Sequence, residues 1–329
     1  MRRQTILALG LALLVNPAWA KAPTTTHFKI VNLVSNQSGK AKNFDPNLVN
    51  PWGLSQVGTG PIWVSDEGTG LSTLYAQGTG AVQSLVVTIP DGQPTGTVYA
   101  PLIGFQITQN GHTQDSQFIF DSEAGVLSGW NNSVNPTNAV IAVDNSKSGA
   151  QYTGLAIDTS TKLLFAANFA QNKVEVYDNS WNLKTTFTDT SLSGYGPYNV
   201  AIIGGNVYAT FVNFSVGGGY VDVFSESGTL QKQLVVNGKL NAPWGLTIAP
   251  STFGTFANSL LVGNLGDGKI NAYDPSAGTY LGTLSNRRGK ALHIDGLWAL
   301  DPVPTGKVTF SAGPNGYANG LLGLIEPAK

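Results

Sequence analysis

Four acidic or amide side chains recur at matched places along the chain, and their oxygens could bind a cation. Each follows a short apolar run and precedes an aromatic residue by nine positions. The four are Asp66, Asp121, Asn168 and Asn264. Carboxylate and amide oxygens are ligands that calcium and magnesium take in proteins. Asp and Asn also stabilise turns through hydrogen bonds to their own backbone, so turn formation is the alternative interpretation.

A second candidate set is aromatic. Pro51-Trp52-Gly53-Leu54 returns later in the chain as Pro243-Trp244-Gly245-Leu246, and Tyr198 opens a further unit. An aromatic ring presents an apolar face with a polar handle, which suits binding of a sugar or another small ligand. The alternative is structural, because a proline-tryptophan pair can plug the entrance to a strand.

His293 and Asp295 form the third candidate set, with Asp295 as a base or cation ligand and His293 beside it. Arg287-Arg288-Gly289-Lys290, just upstream, is either a solvated loop or an anion site. The sequence has no G-x-S-x-G elbow, no H-E-x-x-H and no P-loop. The usual motifs of serine hydrolases, zinc proteases and nucleotide-binding proteins are therefore absent from it.

Composition narrows the class of protein. The chain has 329 residues, 40 glycines, no cysteine and a net charge of −1. Abundant glycine with few charges is typical of many short strands joined by tight turns. The charge balance leaves no footprint for nucleic acid, so we expect no nucleic-acid partner. Without cysteine, neither disulfides nor thiolate chemistry are available.

The first 20 residues have the pattern of a secretory signal peptide. Arg2 and Arg3 precede an apolar run, and Ala18-Trp19-Ala20 resembles a cleavage site. The apolar run is too short to span a bilayer, and no other stretch could do so. We therefore predict an exported chain, periplasmic or extracellular, with no membrane span.

The elements that must position these candidates are strands in six repeated units. The units open at residues 52, 99, 153, 198, 244 and 295, which are 45 to 54 residues apart, and their hydrophobic period is two. Units of this length with four short strands are typical of β-propeller blades, which stack in a ring to bury both faces. A pair of β-sandwiches is the runner-up architecture.

The sequence thus predicts an all-β, six-bladed propeller with four-stranded antiparallel blades, occupying 21–329 as one domain. The last unit has only three strands, so a strand at about 27–34 is expected to close the ring. The expected blades are about 50–90, 95–145, 150–190, 195–236, 240–285 and 291–327.

All three candidate sets converge on one face of such a ring. Loops that enter the innermost strands lie on the same face as loops that join the second and third strands. Trp52, Tyr198, Trp244 and Asp295 begin inner strands, whereas Asp66 and its three counterparts end second strands. His293 precedes Asp295 by two residues and is expected on the same side of its strand.

The blades resemble NHL-type propeller repeats. The resemblance rests on Tyr152-Thr153-Gly154-Leu155-Ala156-Ile157-Asp158, followed by Leu164 to Asn168 and Val174 to Asp178. The chain also resembles a family of exported bacterial propellers of unknown function. A more distant similarity, through Ile294-Asp295-Gly296-Leu297, is to the SMP-30/gluconolactonase group. That similarity implies a divalent cation at the channel mouth, with Asp295 as ligand and base.

Three functions follow as hypotheses. The first is an exported propeller that binds a small molecule, glycan or protein partner through the Trp52/Tyr198/Trp244 face. The second is a metal-dependent hydrolase or lactonase at the same face, using calcium or magnesium. The third is a structural propeller in an envelope assembly, without chemistry in its channel.

Overall fold

The computed structural model describes residues 26–328, and the signal peptide expected at 1–20 lies outside that range. Two strands precede the first blade, and both belong to the last sheet. These two strands are β1 (His27–Ser35) and β2 (Asn43–Phe44). Blade 1 consists of β3 (Pro51–Gln56), β4 (Ile62–Asp66), β5 (Leu71–Tyr75) and β6 (Val82–Thr88). Blade 2 and its inserted hairpin consist of β7 (Pro94–Tyr99), β8 (Gln106–Gln109), β9 (His112–Asp115), β10 (Phe118–Ser122), β11 (Val126–Trp130) and β12 (Val140–Asp144).

The remaining four blades follow in chain order around the ring. Their strands are β13 (Tyr152–Asp158), β14 (Leu163–Asn168), β15 (Lys173–Asp178) and β16 (Leu183–Phe187) in blade 3; β17 (Gly196–Ile203), β18 (Asn206–Val212), β19 (Tyr220–Phe224) and β20 (Leu230–Val236) in blade 4; β21 (Pro243–Ile248), β22 (Leu260–Asn264), β23 (Ile270–Tyr273) and β24 (Tyr280–Thr283) in blade 5; and β25 (Leu297–Val303), β26 (Lys307–Ala312) and β27 (Leu321–Ala328) in blade 6.

Burial differs between the strands of a blade in the way that stacked sheets require. Both middle strands of blade 1 are almost wholly buried, because neighbouring blades cover both of their faces. The outer strand β6 alternates between exposed and covered positions. Aromatic and branched side chains fill the space between blades, as Phe165, Phe211 and Phe224 do between blades 3 and 4.

The ring closes through the two ends of the described chain, which confirms the prediction. Strand β1 pairs antiparallel with β27, from His27 opposite Ala328 to Ser35 opposite Leu321. Strand β2 adds a short parallel edge, so the closing sheet has five strands. The six-bladed, four-stranded antiparallel architecture is therefore confirmed.

Two details of the predicted units were wrong. Tyr99 ends the inner strand of blade 2 instead of opening it, and a β8–β9 hairpin is inserted before the second strand. In blade 6 the inner strand begins at Leu297, so His293 and Asp295 lie in the preceding loop instead of in a strand. No helix among residues 26–328 is long and apolar enough to cross a membrane.

Candidate functional site

The inner strands begin with one recurring step. A residue with a side chain is followed by glycine at Trp52-Gly53, Thr95-Gly96, Thr153-Gly154 and Trp244-Gly245. A Cβ on Gly53 would lie 2.6 Å from the Thr95 carbonyl oxygen, and one on Gly245 would lie 2.7 Å from the Trp298 carbonyl oxygen. Neighbouring inner strands thus approach too closely here for any other residue. Asn199 and Ala299 occupy the equivalent places in blades 4 and 6.

The first position of this step, and its equivalents in blades 4 and 6, place four aromatic side chains at the same end of the channel. We call Trp52, Tyr198, Trp244 and Trp298 the aromatic plug; their exposed fractions are 5%, 5%, 4% and 1%. Trp52 stacks on Trp298 with ring centroids 3.6 Å apart. Trp244 meets both of them edge-on at 6.2 and 5.9 Å. The four rings therefore close the channel at the end where the inner strands begin.

The three tryptophans of the plug differ in the hydrogen bonds of their indole N–H groups. Trp244 Nε1 donates to the Thr153 carbonyl at 2.8 Å, and Trp298 Nε1 donates to Asn50 Oδ1 at 2.9 Å. Trp52 Nε1 is buried and has no partner in the described structure. Asn199 Nδ2 donates to the Trp244 backbone carbonyl at 2.7 Å, which joins blades 4 and 5 beneath the plug.

Below the plug, the inner strands of all six blades enclose a cavity of about 390 Å³. Trp244 belongs to its lining, and the lining extends to the far ends of the inner strands, where Gln56, Tyr99 and Ile202 are partly exposed. The cavity is thus blocked at the predicted mouth and opens on the opposite face. Its size falls within the range of small-molecule sites.

The lining of this channel cavity is amphipathic. Blades 3, 4 and 5 contribute mainly apolar side chains, among them Leu155, Val200 and Leu246. Blades 6, 1 and 2 contribute Asp301, Gln56 and Thr97. Gln56 Nε2 donates to the Pro302 carbonyl at 2.8 Å, whereas Gln56 Oε1 and Thr97 Oγ1 are buried without a partner.

Asp301 is the only acidic residue among the described residues that line the cavity, and no lysine, arginine or histidine lines it. Burial raises the pKa of Asp301 to about 7, and a hydrogen bond from Gln56 offsets part of that effect. Near neutral pH the carboxyl group is therefore divided between a form that donates a hydrogen bond and a form that carries charge. Such perturbed carboxyl groups cluster at functional sites.

The two aspartates of the predicted cation set are buried inside their blades. Asp66 Oδ2 accepts from Thr73 Oγ1 at 2.7 Å, and burial raises the pKa of Asp66 well above its usual value. Asp121 Oδ1 accepts from Thr95 Oγ1 at 2.8 Å and from the Gly96 amide. Burial raises the pKa of Asp121 to about 6, against the lowering effect of these bonds.

The two asparagines of the set are likewise fully buried. Asn168 Nδ2 donates to Glu175 Oε1 at 3.0 Å, and Asn264 Nδ2 donates to the Lys239 carbonyl at 2.8 Å. Asp66 Oδ1, Asp121 Oδ2 and Asn264 Oδ1 are left without partners, but they belong to three different blades.

The structure separates Asp295 from the other four members of the set. Asp295 is exposed, and its Oδ2 accepts from the Asn315 amide at 2.9 Å. Within residues 26–328, no three His, Asp or Glu side chains are grouped as ligands of one metal ion. The cation set remains a prediction.

His293 and Asp295 do share a site, although it lies outside the channel. Both line a surface pocket of about 510 Å³ together with Ile30 and Asn32 of the closing strand. Both side chains are exposed. The structure thus brings the predicted catalytic pair together beside the closing strand, in a pocket that does not include the aromatic plug.

Two residues of the channel were missed in the sequence. Trp298 is the counterpart of Trp52 and Trp244, and Leu297-Trp298-Ala299-Leu300 repeats their pattern with leucine in place of proline and alanine in place of glycine. Asp301 could have been noticed as an acid inside an otherwise apolar strand, where such residues are disfavoured.

Solved structures with this fold are distant in sequence. A glucose dehydrogenase is 12% identical, with a TM-score of 0.59, covering 92% of this chain and 99% of that one. An inactive virginiamycin B lyase from Staphylococcus aureus, solved with quinupristin, is 9% identical, with a TM-score of 0.56, covering 92% of this chain and 100% of the lyase. These similarities show the fold alone.

No known family model matches the chain. Two relatives that match almost the whole chain are viral. The uncharacterized protein R648 of Acanthamoeba polyphaga mimivirus is 30% identical over 97% of this chain and 84% of its own length. The uncharacterized protein L690 of the same virus is 30% identical over 94% of this chain and 88% of its own length. The chain therefore belongs to the same family as R648 and L690.

Proposed function

We propose that this protein is an exported propeller that binds a small molecule in the channel cavity. The observation that carries the proposal is the blind, amphipathic cavity with one half-buried carboxyl group, Asp301, on its polar side. The sequence predicts Trp52, Tyr198 and Trp244 as ligand-binding residues. In this proposal they close one end of the cavity, and Trp244 also lines it. A glycan or protein partner at the plugged face remains the broader alternative.

The lining supports a ligand with one apolar side and one hydrogen-bonding side. An apolar body would pack against Leu155, Val200 and Leu246, since burial of such surface drives association. Its polar group would reach Asp301, and rotation of Gln56 would bring a second acceptor to it. A cationic or hydrogen-bonding group would bind most tightly, because it compensates for the desolvation of the carboxylate.

A thermal-shift screen of a small-molecule library tests this function directly. Compounds that bind the channel raise the Tm of the wild-type protein by mass action. The same compounds should lose most of that shift with Asp301→Asn, which keeps the volume of the side chain. Asp295→Asn, a matched change on the other face, should keep the shift. Hits that respond equally to both variants would contradict a channel site.

A second candidate is a metal-dependent hydrolase or lactonase, and one observation favours it. His293 and Asp295 line one accessible pocket, in the segment that resembles the gluconolactonase group. Plasma mass spectrometry of natively produced protein tests it. Stoichiometric calcium or magnesium that disappears with Asp295→Ala would support the hydrolase, and metal that survives the substitution would remove Asp295 as a ligand.

Export has its own test. N-terminal sequencing of the protein recovered outside the cytoplasm should begin at Lys21. A mature chain that retains Met1 would overturn the proposal of a cleaved signal peptide.

A further inference from the structure

A second, larger cavity lies beside the closing strand. It has a volume of about 1030 Å³ and is lined by residues from five separate segments of the chain, four of which carry its charged side chains. Lys29 comes from β1, Lys307 and Glu326 come from β26 and β27, and Arg287 and Arg288 come from the loop that precedes blade 6. We call this cavity the seam groove, because it lies where the ring is closed.

The seam groove concentrates positive charge in a chain that is slightly acidic overall. Four of the 18 basic residues line it, against one of the 19 acidic residues. Lys29 and Lys307 both contact Glu326, so two ammonium groups share one carboxylate. Their side chains are still 58% and 37% exposed. An ammonium group has three donors, so each lysine retains donors for a ligand.

The two arginines have no such acidic partner. Both are exposed, and neither lies within salt-bridge distance of a carboxylate in residues 26–328. The backbone of their loop is held in place: Asn286 Oδ1 accepts from the Arg288 and Lys290 amides, and the Asn286 amide donates to the Lys290 carbonyl at 2.9 Å. The guanidinium pair is thus presented from a hydrogen-bonded turn. Arginine binds carboxylate, sulfate and phosphate groups with two parallel hydrogen bonds.

We propose that the seam groove binds a ligand with two or more oxyanion groups, one at the Arg287–Arg288 pair and one at the Lys29–Lys307 pair. Carboxylate, sulfate and phosphate share the chemistry that these residues recognise. The bound ligand would bridge β1, blade 6 and the loop from blade 5. It would therefore stabilise the closed ring as well as occupy the groove.

Titration calorimetry at low salt tests the proposal with three probes: tripolyphosphate, a galacturonate oligosaccharide and a heparin tetrasaccharide. At least one should bind the wild-type protein, and Arg287→Gln with Arg288→Gln should weaken it at least tenfold. Glu326→Gln removes the only acidic residue of the groove and should tighten binding several-fold. The preferred probe identifies whether phosphate, carboxylate or sulfate is recognised.

Lys40→Gln with Lys42→Gln is the matched control, because it removes the same charge from exposed positions beyond the other end of β1. This control should bind like the wild type. The proposal is overturned if no probe binds, if the arginine variant binds like the wild type, or if the control loses as much affinity as the arginine variant. Circular dichroism of each variant separates loss of binding from loss of folding.

Discussion

The two ends of the central channel are built from the same six strands but have different characters. At the end where the strands begin, four aromatic rings pack against one another and exclude water. At the other end, Gln56, Tyr99 and Asp301 surround an opening, and the carboxyl group has a raised pKa. A repeated motif thus stabilises one end of this propeller, whereas less regular residues leave the other end open.

The largest expected effect comes from removing the ring at the centre of the plug. Trp298→Ala should lower the free energy of unfolding by about 3–5 kcal/mol, because it leaves a cavity beneath Trp52. Ile202→Ala, at the open end and only partly buried, should cost about 1 kcal/mol. Urea unfolding measures both. Equal losses would remove the proposed difference between the two ends.

The next largest expected effect is a pH dependence of the free energy of unfolding, caused by Asp301 at the open end of the channel. The folded-state pKa of Asp301 is about 7, above its usual value of about 3.9. The native protein therefore keeps a proton that the unfolded chain releases. The contribution to stability is present below about pH 4 and is lost as the pH rises to about 7.

Asp301→Asn should remove that part of the pH dependence. The difference between wild type and variant should change on the order of 2 kcal/mol from pH 4 to pH 8, after allowance for the solvent that reaches the side chain. Thermal unfolding across this range measures it. Asp295→Asn, exposed on the other face, should follow the wild-type profile, and identical profiles for all three proteins would contradict the assigned pKa.

The smallest expected effect is a difference in stability loss between substitutions of the two stacked tryptophans of the plug. Trp298→Phe leaves Asn50 Oδ1 without its buried donor, whereas Trp52→Phe removes an indole nitrogen that has no partner. Trp298→Phe should therefore cost about 1 kcal/mol more than Trp52→Phe in urea unfolding. A larger loss with Trp52→Phe would show that its Nε1 has a partner in solution.

Much of the fold could be predicted from the sequence because a propeller is specified locally and repeatedly. The period-two pattern, the glycine-rich turns and the spacing of the units each indicate four-stranded blades, and the missing outer strand of the last unit predicts the closure by β1. Exact unit boundaries could not be predicted where an insertion, such as the β8–β9 hairpin, displaced the pattern.

The candidate site was harder to predict than the fold. Trp52 and Trp244 were found because both lie in a Pro-Trp-Gly-Leu motif, whereas Trp298 lacks the proline and the glycine. Whether a strand-initiating tryptophan faces an open mouth or packs against its counterparts depends on ring geometry, which one sequence does not contain. Asp301 has no counterpart in the other blades, so the repeat gave no signal for it.

The pairing that closes the ring also determines how the propeller would respond to a pull applied at His27 and Ala328. His27 and Ala328 are opposite each other at one end of the β1–β27 ladder, so tension on both would load their hydrogen bonds one pair at a time. Such a ladder peels apart at low force, whereas strands pulled lengthwise resist together. Because His27 and Ala328 are paired, a short linker could join 328 to 27, and new termini could be opened in an exposed turn elsewhere in the ring.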